Sequence, residues 1–198
     1  MLYTTSADTH YMDYYERAVF NHILSTINPI QGGFVYFTPM RSGHYRVYSQ
    51  PQTSFWCCVG SGMENHARYG EMIYSHKGDE ELIVNLFIPS VLTWGKTTVE
   101  QVNSFPAEEG TTLIINPKKP SEFTVSVRVP EWTDASKMNA RVNGEAVKAV
   151  IEGGFLKVAR KWSKGDRLSV DLPMSLRAVQ LPDKSENYSF MYGPVVLA

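Results

Sequence analysis

The 198 residues carry 19 Lys and Arg against 20 Asp and Glu, a formal net charge of −1, with 43% apolar and 12% aromatic side chains. That length allows one large domain or two small ones, and the apolar share is enough for a core. The near-neutral balance speaks against an extended phosphate-binding surface for nucleic acid, and no apolar run approaches the roughly 20 residues of a membrane span.

Residues 1–10 lack the basic head and apolar stretch of a signal peptide. Both ends nevertheless read as cut. Met1-Leu2-Tyr3 starts apolar, and the stretch from Tyr188 to Ala198 stops among apolar residues, where natural termini are polar and loose. The chain is therefore expected to be an internal piece of a longer protein, and the absent leader leaves its compartment open.

The first 77 residues read as mainly helical. Asp8 or Thr9 caps a helix over residues 10–27, in which Tyr11, Tyr15, Val19, Ile23 and Ile27 recur every four residues as a buried stripe; Asn28-Pro29 ends it. Residues 32–52 form a long irregular stretch around the aromatic run Phe34-Val35-Tyr36-Phe37, closed by Pro39. Loops of this length are functional or disordered, and the aromatic content favours function. A second helix is predicted over residues 62–75, packed through Met63, Ala67, Tyr69, Met72, Ile73 and Tyr74.

From Glu81 the texture changes to strands, predicted over residues 82–88, 98–102, 112–115, 123–129, 139–142, 155–159, 168–172, 176–181 and 188–197. Val125, Val127 and Val129 alternate with Ser126 and Arg128, giving one buried and one wet face. Asn143-Gly144 and Lys164-Gly165-Asp166 mark tight turns. About nine short strands at this spacing predict an antiparallel β-sandwich. The fold class is α+β, with a helical part over 1–77 and a sandwich over 78–198, divided near Lys77-Gly78-Asp79.

Chemistry concentrates in Cys57 and Cys58, the two cysteines of the chain. Bonded to each other they would close a strained ring, so free thiols that share a soft metal or divide a reactive role fit better. Gly60-Ser61-Gly62 lets the backbone pass close to a ligand, and the helical pattern that follows puts the thiols on a loop entering a helix, where terminal amides stabilise thiolate. The competing reading is two buried, inert cysteines. A zinc site needs about four ligands. His44, Glu64 and His66 are the local candidates to complete one, against plainer roles as a loop residue, a first-turn helix acid and a packed helix residue. Asp13 and Glu16 share one helix face as paired carboxylates would, but beside Arg17 they match a solvated surface. No phosphate-cradling Gly-rich loop or nucleophile-elbow serine is present.

Tyr11-Met12-Asp13-Tyr14-Tyr15-Glu16-Arg17-Ala18-Val19-Phe20-Asn21-His22-Ile23-Leu24 resembles a helix of the glycoside hydrolase family 127 and 146 group. Gly33-Phe34-Val35-Tyr36-Phe37-Thr38-Pro39-Met40 and Ser54-Phe55-Trp56-Cys57-Cys58-Val59-Gly60-Ser61-Gly62-Met63-Glu64-Asn65 resemble its next two blocks. Arg128-Val129-Pro130-Glu131-Trp132, Val142-Asn143-Gly144-Glu145, Trp162-Ser163-Lys164-Gly165-Asp166 and Tyr192-Gly193-Pro194-Val195 follow in the same order. The doubled cysteine is the specific element.

The resemblance implies the last helices of an (α/α)6 barrel followed by the sandwich. It implies a retaining β-L-arabinofuranosidase that releases terminal L-arabinofuranose from plant-type glycans and glycoproteins, with an oligosaccharide or glycan as its partner. It also implies Cys57 as nucleophile, Cys57 and Cys58 as zinc ligands, and Tyr36 facing the substrate. The family completes its zinc site from a Glu-Thr-Cys block expected before Met1, and its acid–base glutamate lies further upstream, so the chain alone is expected to be inactive. A periplasmic or extracellular parent is compatible with glycan degradation. The rival reading from another class is a non-catalytic carbohydrate-binding or scaffolding sandwich. A thiol redox protein lacks its two-residue spacer between the cysteines.

Overall fold

The computed structural model describes residues 2–39, 43–54 and 56–197; Met1, Met40 and Phe55, named in the segments above, lie outside them. The architecture is mixed α+β, with few helices and many strands. The chain divides into two compact units, residues 15–71 and residues 1–14 with 72–198.

Two helices open the chain, α1 (Leu2–Ser6) and α2 (Thr9–Ala18), the latter entered through the Asp8 carboxylate, which accepts from the His10 amide at 3.0 Å. Past α2 the path widens into a π-helical turn, Val19–Ile23, and tightens into a 3₁₀ turn, Leu24–Thr26. The buried positions are Met12, Asp13, Glu16 and Val19, whereas Tyr11 is exposed. The stripe is therefore offset from the predicted one. Each i+4 step overshoots a full turn by about 40°, so five residues spaced by four cannot share a face.

The reading of Asp13 as a solvated acid is corrected. Its carboxylate is buried and accepts from the Arg128 guanidinium and from the Glu131 amide at 3.2 Å. Burial raises the Asp13 carboxyl above its ordinary value, with Arg128 and the Glu131 amide pulling against that. Glu16 is likewise buried.

The second helix, α3 (Cys57–His66), starts five residues before the predicted position and stops well short of residue 75. A 3₁₀ turn, Tyr69–Met72, leads instead into a strand. Tyr74 and Ser75, read as the end of the helix, are claimed for a sheet by tertiary pairing. That strand is β1 (Tyr74–Lys77), followed by β2 (Glu81–Val84), β3 (Ser90–Trp94), β4 (Thr97–Val102), β5 (Gly110–Pro117), β6 (Ser121–Arg128) and β7 (Ala140–Val142). Then come β8 (Glu145–Ala146), β9 (Val150–Glu152), β10 (Phe155–Trp162), β11 (Asp166–Asp171), β12 (Leu176–Gln180), β13 (Tyr188–Tyr192) and β14 (Val195–Val196).

Sequence reading missed β1, β3, β8 and β9, extended β2 too far and merged β13 with β14. Beyond Val84, the Asn85 and Leu86 amides turn to the Ile73 carbonyl, and Gln101 of β4 donates to the Leu86 and Ile88 carbonyls at 3.1 and 2.9 Å. Those groups are satisfied without a ladder, so the strand ends.

One sheet has the order β1-β2-β6-β10-β9 and a second the order β3-β4-β5-β11-β7-β8; β12-β13-β14 form a third. Pairing is antiparallel except between β2 and β6, which run parallel, a departure from the expected purely antiparallel sandwich. The first two sheets bury Val125, Val127, Leu156 and Val158 from one side and Val99, Leu113, Ile115 and Leu168 from the other. Trp94 of β3 meets Phe123 of β6 edge to face, with ring centroids 5.1 Å apart.

The expected wet face of β6 is not wet: Ser126 and Arg128 are fully buried. A strand between two neighbours is covered on both faces once a helix lies on the outer one. Here Arg128 meets Asp13 of α2, donates to the Asn85 carbonyl at 2.7 Å and lies over the Phe87 ring. No helix among the described residues is long and apolar enough to cross a membrane.

Candidate active site

The site belongs to the unit of residues 15–71 and is assembled from two segments. The first is the aromatic run. Gly33 lets two stretches of backbone cross closely, since a Cβ there would lie 1.9 Å from the Ser49 carbonyl oxygen. Across that crossing the Ser49 amide donates to the Phe34 carbonyl at 2.8 Å, and the Phe34 amide donates to Ser49 Oγ at 3.0 Å. Isolated bridges Ile27↔Phe34 and Val35↔Tyr48 extend the contact. Val35 points inward and is buried, so Tyr36, next along the chain, turns to the opposite side and is half-exposed.

The second segment is the start of α3. Trp56 is its N-cap in extended backbone and provides no side-chain cap. Cys57 and Cys58 are the first two helical residues, both exposed free thiols. The inert-buried reading of the pair is therefore set aside. Midway along α3, Gly62 gives room to Phe34, whose ring carbon would lie 3.5 Å from a Cβ there.

These segments bring together Tyr36, Cys57 and Cys58. The Tyr36 hydroxyl lies 3.5 Å from Cys57 Sγ, and the two sulfurs are 3.7 Å apart. Hydrogen bonding from Tyr36, then from Cys58, lowers the Cys57 thiol below its ordinary value, helped by backbone amides. The same contacts push the Tyr36 hydroxyl up to about 12. The two shifts agree in direction: of the pair, Cys57 gives up its proton first and Tyr36 keeps its own.

Two pockets meet at Tyr36. One, of about 610 Å³, is lined by Tyr36, Phe37, Tyr45, Val47, Trp56 and Cys57, with Pro39 and His44 at its margin. The other, of about 440 Å³, is lined by Tyr36, Cys58, His22, Thr26, Thr38 and Asn65 among others. Cys57 thus faces an aromatic cleft of the size that holds a small ligand, and Cys58 faces a more polar one. Tyr45, Val47 and Trp56 were not singled out as lining residues from sequence; the density of aromatic residues in this stretch was the signal available.

The remaining metal candidates do not converge on the thiols. His66 is occupied elsewhere: Nδ1 bonds the Tyr69 hydroxyl at 2.7 Å, Nε2 lies 3.4 Å from Thr26 Oγ1, and burial lowers its pKa. His44 stacks on Tyr45, and Glu64 is exposed on α3. Among the described residues no group of three or more His, Cys, Asp or Glu side chains is arranged to hold a metal. The thiol pair itself fits one. Two thiolates on a tetrahedral zinc, each at about 2.3 Å, stand about 3.8 Å apart, and the sulfurs here are 3.7 Å apart. They supply half of a tetrahedral set.

Comparison with known proteins sets this arrangement in context. Residues 1–71 match a family model described as the GH127 catalytic domain of β-L-arabinofuranosidase, and residues 81–174 match its GH127 middle domain. The chain is similar to the crystal structure of a GH127 β-L-arabinofuranosidase from Geobacillus stearothermophilus T6 (TM-score 0.81, 24% identity, 98% of this chain and 33% of that one). It is also similar to a second GH127 β-arabinofuranosidase (TM-score 0.81, 26% identity, 98% and 34%) and to a structure described as a glycoside hydrolase (TM-score 0.81, 20% identity, 98% and 35%). The chain thus spans about a third of the length of these structures. Among curated proteins no relative is found.

Proposed function

We propose, from the premise that this chain belongs to glycoside hydrolase family 127, that it carries the nucleophile of a retaining β-L-arabinofuranosidase acting on plant-type glycans. In that reading its helices are the last of an (α/α)6 barrel, and its strands build the sandwich that follows. The observation that carries the reading is the Tyr36 hydroxyl held 3.5 Å from a Cys57 sulfur that sits in the first turn of α3 and faces an aromatic cleft.

Each side chain then has a task. The Cys57 thiolate attacks the anomeric carbon of the terminal sugar, a carbon–sulfur bond forms and the glycosidic carbon–oxygen bond breaks. Water afterwards displaces sulfur from the same carbon, and two inversions return the original configuration. Tyr36, its proton retained, donates to the resting thiolate and is close enough to turn to a ring oxygen of the sugar. Trp56 and Phe37 supply apolar surface for the faces of the sugar rings. Cys57 and Cys58 would hold zinc, which stabilises both sulfurs as thiolates. The leaving oxygen takes its proton from an acid that, in the family pattern, lies in another part of the parent protein, so the isolated chain binds but does not turn over.

The test is an activity screen of the full-length parent on an aryl β-L-arabinofuranoside, with and without a zinc chelator. Release of the aryl alcohol by the wild type and its loss in Cys57→Ser, with the fold retained, is the expected result. Near-normal turnover in Cys57→Ser would overturn the nucleophile assignment. The non-catalytic alternative predicts glycan binding with no release at all.

A further inference from the structure

A second aromatic feature lies in the sandwich and shares no residue with the cleft at Cys57. The indole of Trp94, at the turn from β3 into β4, separates two clefts of about 310 and 430 Å³. Trp94, Gly95 and Asp79 line both; Lys96, Ser121 and Glu122 edge the first, and His76 and Thr93 the second. The indole is fixed before any ligand arrives. Its Nε1 donates to the Gly78 carbonyl at 3.2 Å, and Phe123 packs against it at 87°. Two glycines with left-handed backbone, Gly78 (φ 54°) and Gly95 (φ 56°), make the turns beside it, and the His76 ring stands 6.3 Å from the indole.

Asp79 is the second element. It is exposed, and among the described residues its carboxylate has no hydrogen-bond or ion-pair partner. It stands 3.9 Å from where a side chain at Gly95 would begin, on the turn that follows Trp94. A rigid, half-exposed indole beside a free carboxylate is what a sugar needs: the ring takes the C–H face, and the carboxylate accepts from neighbouring hydroxyls. The rim carries Asp79 and Glu122 against Lys96, charges of both signs, which gives no field to hold a polyanion and suits a neutral polyol. Each cleft falls in or near the range of sizes that holds a small ligand, and their shared wall suits a chain that passes over the indole.

We propose that Trp94 and Asp79 form a second, non-catalytic carbohydrate site, which holds a neutral pentose-bearing glycan on the sandwich. The proposal takes its substrate class, and nothing else, from the function proposed above. The opposing account is that the indole only seals the hairpin onto Phe123.

The test is native gel electrophoresis of the full 198-residue chain in gels containing soluble arabinan or arabinoxylan, with dextran as control. The wild type is expected to be retarded by arabinan or arabinoxylan and not by dextran. Trp94→Ala should weaken that binding about tenfold, and Asp79→Ala about fivefold, as loss of one ring stack and of one hydrogen-bonding group requires. Melting curves establish that Trp94→Ala is folded; if it is not, Asp79→Ala decides, because its side chain supports nothing else. No retardation of the wild type, or equal retardation of the folded variants, overturns the proposal. Retardation lost in Cys57→Ser with Tyr36→Ala but kept in Trp94→Ala assigns binding to the other cleft and also overturns it. Trp94-dependent retardation together with an inactive parent would sink the hydrolase reading alone.

Discussion

Gly33→Ala tests how the site is built. The new Cβ would lie 1.9 Å from the Ser49 carbonyl oxygen and 3.1 Å from its carbon, both backbone atoms that no rotamer change can move. Contact at or above 3.0 Å, the least that real Cβ atoms show, requires the crossing strands to part by roughly an ångström. The 2.8 Å bond from the Ser49 amide and the 3.0 Å bond from the Phe34 amide are then lost or badly stretched. At about 1 kcal/mol for each bond, with some loss of packing around Val35, the cost is roughly 2–3 kcal/mol. For a chain of this size that is a fall in melting temperature of roughly 4–12 °C. The second consequence is functional. Tyr36 lies two residues beyond Phe34, so its hydroxyl moves off Cys57 and the thiol rises toward its ordinary value. Thermal melting and the pH profile of Cys57 alkylation, in a Cys58→Ser background, read the two effects. A melting temperature within about 1 °C of wild type, with an unchanged alkylation profile, would refute the claim that this crossing holds Tyr36 in place.

Tyr36→Phe isolates the second effect. In metal-free protein the hydroxyl's donation is the largest cause of the lowered Cys57 thiol, so its removal moves the midpoint of alkylation upward in pH; an unchanged or lower midpoint contradicts the assignment. Asp13→Ala removes one charged partner of the fully buried Arg128 guanidinium, and about 3 kcal/mol of stability should go, measured by urea denaturation. A loss below about 1 kcal/mol would mean that the other contacts of Arg128, the Asn85 carbonyl among them, hold its charge without Asp13. Zinc titrated into the reduced chain should bind weakly, since two sulfurs are half of a tetrahedral set, whereas the full-length parent should hold about one zinc per chain by elemental analysis. Tight stoichiometric binding to the chain alone would reopen the roles of His44 and Glu64.

The local chemistry of the chain was legible from its residues. The adjacent cysteines lie at the start of a helix, as the helical pattern after them predicted, and the aromatic run beside them lines the cleft that its density of rings suggested. Strands whose two ends carry turn residues, such as β10 and β11 around Lys164-Gly165-Asp166, were placed within a few residues. The family followed from motif order. Three things were decided only in three dimensions. Arg128 and Asp13, 115 positions apart, each look like a surface charge until each supplies the other's partner, and burial of such a pair leaves no periodic trace. Tyr74 and Ser75 read as the end of a helix and instead begin β1 because β2 offers them a ladder, a pairing energy that lies outside the segment itself. The approach of Tyr36 to Cys57 depends on a backbone crossing at Gly33 that needs the absence of one carbon atom, and a glycine in a sequence states that absence without saying what passes through it.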